Sequence, residues 1–181
     1  TRFQEVSWAR RCVKETGVIE YFSLKNETIL CPSNTFQATP MVSMNNGCDV
    51  KFVDCNRNDL CISYKDIELN VKKYNPKAIW VVHIGGHLAF DIEKISKFCK
   101  ENKIILIEDC AHSHGAEYKK KKPGEWGDAG IYSLYATKTL TTGEGGILVS
   151  KNEDLIEFSK SFKNYGKPNN LISVSYTHLR A

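Results

Sequence analysis

Two runs, Ala78-Ile79-Trp80-Val81-Val82-His83 and Ile104-Ile105-Leu106-Ile107-Glu108-Asp109, constrain this chain more than any other feature: each is apolar without alternation, and each closes on polar residues. A strand with one wet face alternates apolar and polar side chains, so an unbroken apolar run of this length implies a strand covered on both faces. The segments around these runs have helical spacing. Tyr64 to Tyr74 is one, and Asp91 to Asn102, with Ile92, Ile95, Phe98 and Cys99 on one face, is another. Helices alternating with buried strands predict an α/β three-layer sandwich around a mostly parallel sheet.

The remainder of the chain extends this pattern. Val6 to Leu30 has loose helical spacing, with Trp8, Val13, Val18, Ile19, Phe22 and Leu24 as inward positions. Ile29 to Pro32 reads as a short strand, Phe36 to Asn45 as a helix ended by Gly47, and Val50 to Asp54 as a strand. From Gly130 a strand enters a polar turn carrying Lys138, a glycine cluster (Gly143, Gly145, Gly146) follows, and then come the strand Ile147 to Ser150 and the helix Glu153 to Lys163. Ligands of such sheets gather beyond the carboxyl ends of the strands. That rule selects Ser33 to Phe36, His83 to Gly86, Asp109 to His114, and Ser133 to Lys138.

Composition narrows the function classes. At 181 residues the chain can form one domain with a sizeable core. Much of the net charge of +4 comes from Lys119 to Lys122, beside Pro123 and Gly124. Without interleaved aromatic residues this run reads as a solvated turn, so no nucleic-acid partner is expected. Seven cysteines without a Cys-x-x-Cys pair suit buried reduced thiols in a cytoplasmic protein, with neither a disulfide framework nor a metal site. No apolar window approaches the ~20 residues that span a bilayer, so no membrane role is expected.

Several side chains could carry chemistry. Lys138, at the end of an apolar strand and among small and hydroxyl residues, is placed for a pKa lowered by desolvation, which suits a Schiff-base nucleophile; taken alone, a surface turn lysine beside a glycine-rich loop is the plainer reading. Asp109 either caps backbone N–H groups or pairs with a cationic ring nitrogen. His112 can reach a ligand oxygen or sit satisfied in its turn. Ser133, five residues before Lys138, either faces a helix or shares a small ligand with that lysine. Phe36 is a core aromatic or a platform for a planar ring, and Glu144 orients a substrate amine or caps its turn. A zinc set of Asp109, His112 and His114 lacks metal-like spacing. Ser133 lacks a Gly-x-Ser-x-Gly elbow, and no phosphate-binding Gly-x-x-x-x-Gly-Lys loop is present.

Taken in order, Pro32-Ser33-Asn34-Thr35-Phe36-Gln37-Ala38-Thr39, Val82-His83-Ile84-Gly85-Gly86, Glu108 through Ala116, Gly127-Asp128-Ala129-Gly130, and Ser133 through Lys138 to Gly146 resemble successive motifs of the DegT/DnrJ/StrS family. These are pyridoxal-phosphate-dependent sugar aminotransferases with the aspartate aminotransferase type of fold, fold type I. The resemblance implies that Lys138 holds the cofactor as a Schiff base and shuttles the substrate proton, and that Asp109 pairs with the pyridinium nitrogen. It also implies that His112 lies near the ring's 3-hydroxyl, that Ser133 contacts the phosphate and that Phe36 stacks on the ring. Glu144 and Tyr165 are candidate substrate contacts. The implied reaction moves an amine from an amino-acid donor, usually glutamate, to a keto group of a nucleotide-linked deoxysugar, in a homodimer. A related branch of sugar dehydratases has histidine at the lysine position, and Lys138 argues against it.

Two departures shape the expectation for the domain. The Ser-Gly-Thr type phosphate turn that opens a helix in the family is not found between Thr1 and Leu30, where Glu15-Thr16-Gly17 is nearest. No family-like sequence follows Pro168. Residues 18–172 are therefore expected to form the central part of a cofactor-binding large domain, with residues 1–17 a flank outside the resemblance, residues 173–181 a foreign tail and the C-terminal small domain absent. The alternatives are a sensor or regulator on the same fold, or a fragment without turnover.

Overall fold

A computed structural model describes residues 3–4 and 13–164. The elements in chain order are β1 (Phe3–Gln4), α1 (Val13–Tyr21), β2 (Thr28–Pro32), α2 (Ala38–Asn45), β3 (Asp49–Val53), α3 (Tyr64–Tyr74), β4 (Ala78–Val82), α4 (Ile92–Asn102), β5 (Ile105–Asp109), β6 (Ala129–Ser133), β7 (Gly146–Val149) and α5 (Glu153–Lys163). The two apolar runs become β4 and β5, neighbours in the middle of a seven-stranded sheet ordered β1-β7-β6-β5-β4-β2-β3.

From β3 to β6 all pairings are parallel, while β7 runs antiparallel to β6 and β1 antiparallel to β7. The mostly parallel α/β sandwich is as expected. Side chains alternate across the central strands, because successive Cβ atoms of a strand point to opposite faces. Trp80 and Ile107 join Val18, Ile19, Leu155 and Ile156 of α1 and α5 in one core. Ile79, Val81 and Leu106 join Ile67, Ile92 and Ile95 of α3 and α4 in the other. The one polar atom of Trp80 is satisfied within its core, since the indole N–H donates to Ser43 Oγ at 3.1 Å.

Two boundaries differ from the sequence reading. Helical spacing between Val6 and Leu30 yields only α1 from Val13, with 6–12 outside the described residues apart from that helix. The helix stops because Ser23 and Asn26 adopt positive φ (53° and 66°) and the Leu24 N–H closes onto the Ile19 carbonyl at 3.0 Å. Helix α2 starts at Ala38, after a turn in which the Thr39 N–H reaches the Phe36 carbonyl. Phe36 is therefore a loop residue, 66% exposed, and not a core aromatic.

Six cysteines are described and all are free thiols, five of them buried. Burial pushes the Cys31 and Cys99 thiols up to about 12, so they pack as small apolar groups. Lys119 to Lys122 form an exposed turn, with Lys119 and Lys120 at positive φ. Among the described residues no helix is long and apolar enough to cross a membrane.

Candidate active site

Strand order reverses around β2: its successor β3 lies on one side, and the crossover through α3 returns β4 to the other, all three strands being parallel. A crevice opens at such a switch point, beyond the carboxyl ends of the strands. Here it is a cavity of about 300 Å³, and Phe36, Asp109, His112, Ser133, Lys138 and Glu144 all line it. Every described residue singled out from the sequence for cofactor or substrate therefore reaches one space; Tyr165 lies outside the described residues.

Register explains the convergence. Val82 pairs with Asp109, and Asp109 with Ile131, so β4, β5 and β6 end nearly level. The His83 N–H donates to the Asp109 carbonyl (3.1 Å) and the Cys110 N–H to the Ile131 carbonyl (2.8 Å), continuing the ladder one step past the strands. Asp109 is then fixed by side-chain bonds. Its Oδ2 accepts from Thr39 Oγ1 at 2.9 Å, Thr39 accepts in turn from Thr35 Oγ1 at 3.1 Å, and Oδ1 accepts the Ala111 N–H at 3.0 Å. Two segments, Thr35–Thr39 and the turn after β5, thus orient one carboxylate.

Lys138 sits half-buried in the connection between β6 and β7. Hydroxyls and glycines shape this connection. Thr141 Oγ1 donates to the Leu134 carbonyl and Thr142 Oγ1 to the Glu144 carbonyl, while the Lys138 N–H reaches the Tyr135 carbonyl at 2.9 Å. Gly145, at φ 138°, occupies a conformation that side chains rarely adopt, and its carbonyl accepts the Leu134 N–H. Ser133 Oγ accepts the Tyr135 N–H at 3.3 Å and so opens the turn.

A lysine and an oriented aspartate on adjacent strand ends, facing one cavity beside an exposed phenylalanine, agree with the similarity of residues 18–178 to the DegT/DnrJ/EryC1/StrS aminotransferase family. The chain belongs to that family. It is 34% identical over 142 residues to GDP-perosamine synthase of Escherichia coli, covering 78% of this chain and 38% of that protein. It is 37% identical over 145 residues to the UDP-4-amino-4,6-dideoxy-N-acetyl-beta-L-altrosamine transaminase of Campylobacter jejuni, covering 79% and 38%. The aminotransferase from Psychrobacter cryohalolentis superposes with a TM-score of 0.84 at 24% identity, over 91% of this chain and 42% of that one, which places the chain in the same fold. The chain thus spans well under half the length of the curated relatives it matches.

The DegT/DnrJ/EryC1/StrS chain also brings to the cavity two residues that sequence reasoning missed. Lys14 and Glu15, in the first turn of α1, line it. Lys14 is 7% exposed and lies against Gly146, where a Cβ would collide with its amine and with the Tyr132 carbonyl. Among the described residues, Glu15 Oε2 is buried without a hydrogen-bond partner. Burial raises its carboxyl pKa, the Lys14 charge partly offsets this, and the Asp109 charge adds to the rise. The available signal was Glu15-Thr16-Gly17, named only as the nearest stand-in for a phosphate turn. The first turn of α1 does reach the cavity there.

Glu108, beside Asp109, does not line the cavity. Its carboxylate is fully buried and accepts the backbone N–H groups of Gly124, Trp126 and Gly127 at 2.6–2.9 Å, and it meets His83 Nε2 at 2.9 Å. His83 Nδ1 accepts the Ala89 N–H at 3.1 Å, so Nε2 carries the proton toward Glu108. The pair fixes β4, β5 and the loop before β6 together. His114 packs its ring against Tyr132 with centroids 5.2 Å apart. Burial lowers its pKa, and the Lys138 and His112 charges push the same way.

Proposed function

We propose that this chain forms the cofactor-bearing part of a pyridoxal-phosphate-dependent aminotransferase that moves an amine from an amino-acid donor, glutamate by preference, to a keto group of a nucleotide-linked deoxysugar. The observation that carries the proposal is the joint placement of Lys138 and Asp109 on one cavity. Support for the acceptor comes from the two relatives, whose names carry a GDP- and a UDP-linked compound.

The residues present fit the cofactor. When bound, pyridoxal phosphate supplies a carbonyl carbon that accepts an amine and a protonated ring that draws off electrons from the reacting carbon. Lys138 would provide the amine that anchors that carbon, and the base that takes and returns the substrate proton. Asp109 would accept the ring N–H; the Thr39 hydroxyl and Ala111 N–H keep its oxygens from turning away. Phe36 would cover the ring, and His112 would serve the ring hydroxyl. Ser133 and the first turn of α1, with Lys14, would hold the phosphate. Glu144, exposed at the cavity rim, and Tyr165 contact substrate.

On this reading the complete protein is a cytoplasmic homodimer. Phe36, Met41 and Met44, between 45% and 66% exposed along the start and length of α2, support a face covered by a second copy.

The test is borohydride reduction of the full-length protein equilibrated with pyridoxal phosphate, followed by peptide mapping. A reduced adduct on Lys138 is expected, together with transamination of GDP- or UDP-linked keto sugars with glutamate. Folded protein that gives no adduct on Lys138 would sink the proposal, and an adduct without turnover on any keto sugar would move it to a sensor on the same fold.

A further inference from the structure

The geometry points to a zinc-binding site formed by Asp59, Cys61 and His87, where the β3–α3 connection meets the β4–α4 connection. A carboxylate oxygen of Asp59, the Cys61 Sγ and a ring nitrogen of His87 lie within 4.8 Å of one another. Asp59 is 3% exposed and Cys61 fully buried. His87 Nε2 is buried and has no hydrogen-bond partner among the described residues.

The backbone is arranged to bring these groups together. Leu60 adopts a left-handed conformation (φ 57°), which is unfavourable for a leucine. The consequence is that Leu60 turns outward, 53% exposed, while its neighbours Asp59 and Cys61 turn inward. Across from them, Gly85 and Gly86, both at positive φ, bend the chain ahead of His87, whose ring rests on Phe90 with centroids 5.4 Å apart.

Asp59 is oriented and can still take a cation. Its Oδ1 accepts the Cys61 N–H at 3.1 Å and its Oδ2 the Phe90 N–H at 2.7 Å; the Cys61 S–H also bonds this carboxylate, and loss of that proton on metal binding frees the lone pair it occupies. Among the described residues no lysine or arginine forms an ion pair with it. A buried carboxylate without a cation is costly, and a divalent ion removes that cost.

The other cluster of suitable residues, His83, Glu108 and Cys110, is different in kind, because both ring nitrogens of His83 and both oxygens of Glu108 are already bonded.

One sulfur, one nitrogen and one oxygen donor favour zinc among the common divalent ions, with water as the fourth ligand. On binding, the Cys61 S–H proton leaves to solvent and the thiolate forms the zinc–sulfur bond; Asp59 and His87 bind through lone pairs with no redox change. The ion would tie the two connections into one unit, and Ile84, in the connection bearing His87, lines the cavity. Zinc here is a clamp on one cavity wall, separate from the cofactor chemistry.

The experiment uses the reduced, chelator-stripped chain without pyridoxal phosphate. Zinc sulfate is titrated against a chromophoric chelator, and cobalt chloride serves as the spectroscopic probe. One equivalent of metal, a thiolate-to-cobalt charge-transfer band and a zinc-dependent rise in Tm are expected. His87→Gln and Cys61→Ser each weaken zinc binding by at least about 100-fold and remove the Tm rise. Should Cys61→Ser fail to fold, His87→Gln, on a half-buried loop side chain, decides the matter. Absence of the cobalt band at saturating metal, or unchanged binding in folded His87→Gln, overturns the site. None of these readouts involves cofactor or turnover, so the aminotransferase proposal stands or falls apart from them.

Discussion

The cavity has one carboxyl on each of two walls, and the two are built in opposite ways. Asp109, at the end of β5, has a donor on each oxygen and a second hydroxyl behind the first. Glu15, in the first turn of α1, buries an oxygen without a hydrogen-bond partner among the described residues, and burial raises its pKa. The difference lies in what surrounds each group. Parallel strands deliver several backbone and hydroxyl donors to one level, whereas the α1 turn offers the Lys14 charge and the backbone N–H of Glu15 itself. The strand-end wall holds its carboxylate in one orientation, whereas burial on the helix wall pushes the carboxyl pKa up.

The largest effect expected from testing that contrast is on the strand-end side. Lys138→Ala should lower transamination by the full-length protein by roughly 10²–10⁴-fold from the loss of proton transfer alone, with urea stability nearly unchanged. Steady-state rates beside denaturation curves check both halves. Next comes Glu108→Ala, which strips three buried N–H groups and His83 of their acceptor. A loss of about 3–5 kcal/mol in urea unfolding is expected, the scale for breaking a buried charged network. A loss under ~1 kcal/mol would mean that Glu108 does not brace this wall.

Asp109→Ala should cost about 1–3 kcal/mol, since it leaves the Thr39 hydroxyl and the Ala111 N–H unpaired. The smallest effect belongs to the helix wall. Glu15 binds its proton more tightly in the folded chain than at its ordinary value of 4.5. Its contribution is therefore fully present below that value and is lost as pH rises through the folded pKa. Glu15→Gln should then leave stability unchanged near pH 4 and increase it at pH 7. Equal effects at both pH values would erase the contrast between the walls.

How much of this was legible in the sequence follows from the same physics. Continuous apolar runs can only be doubly covered strands, so β4 and β5, and with them Asp109, could be placed from residue order alone. The motif order likewise assembled Phe36, His112, Ser133, Lys138 and Glu144, and the cavity contains them all. Helix α1 was less legible because its nine residues carry no clear apolar stripe and Gly17 interrupts them. Its role depends on α5, against which Gly17 packs, and no local pattern announces that contact. Glu108 was indistinguishable from Asp109 as a strand-closing acid. Its three amide partners come from a loop more than a dozen residues later, and residue order gives no measure of that approach.

The connection carrying Lys138 begins at Ser133 and ends at Gly146, and those two residues are paired across β6 and β7. Its closure therefore costs little chain entropy, and the segment can organise as a local hairpin. Asp109 depends on parallel neighbours brought in by long crossovers, which form slowly. In refolding, the amine should be in place before the carboxylate it faces, so early intermediates hold a lysine turn with half a cavity. Pulse-labelled hydrogen exchange would show this as protection at Leu134 and Thr142 preceding protection at His83 and Cys110.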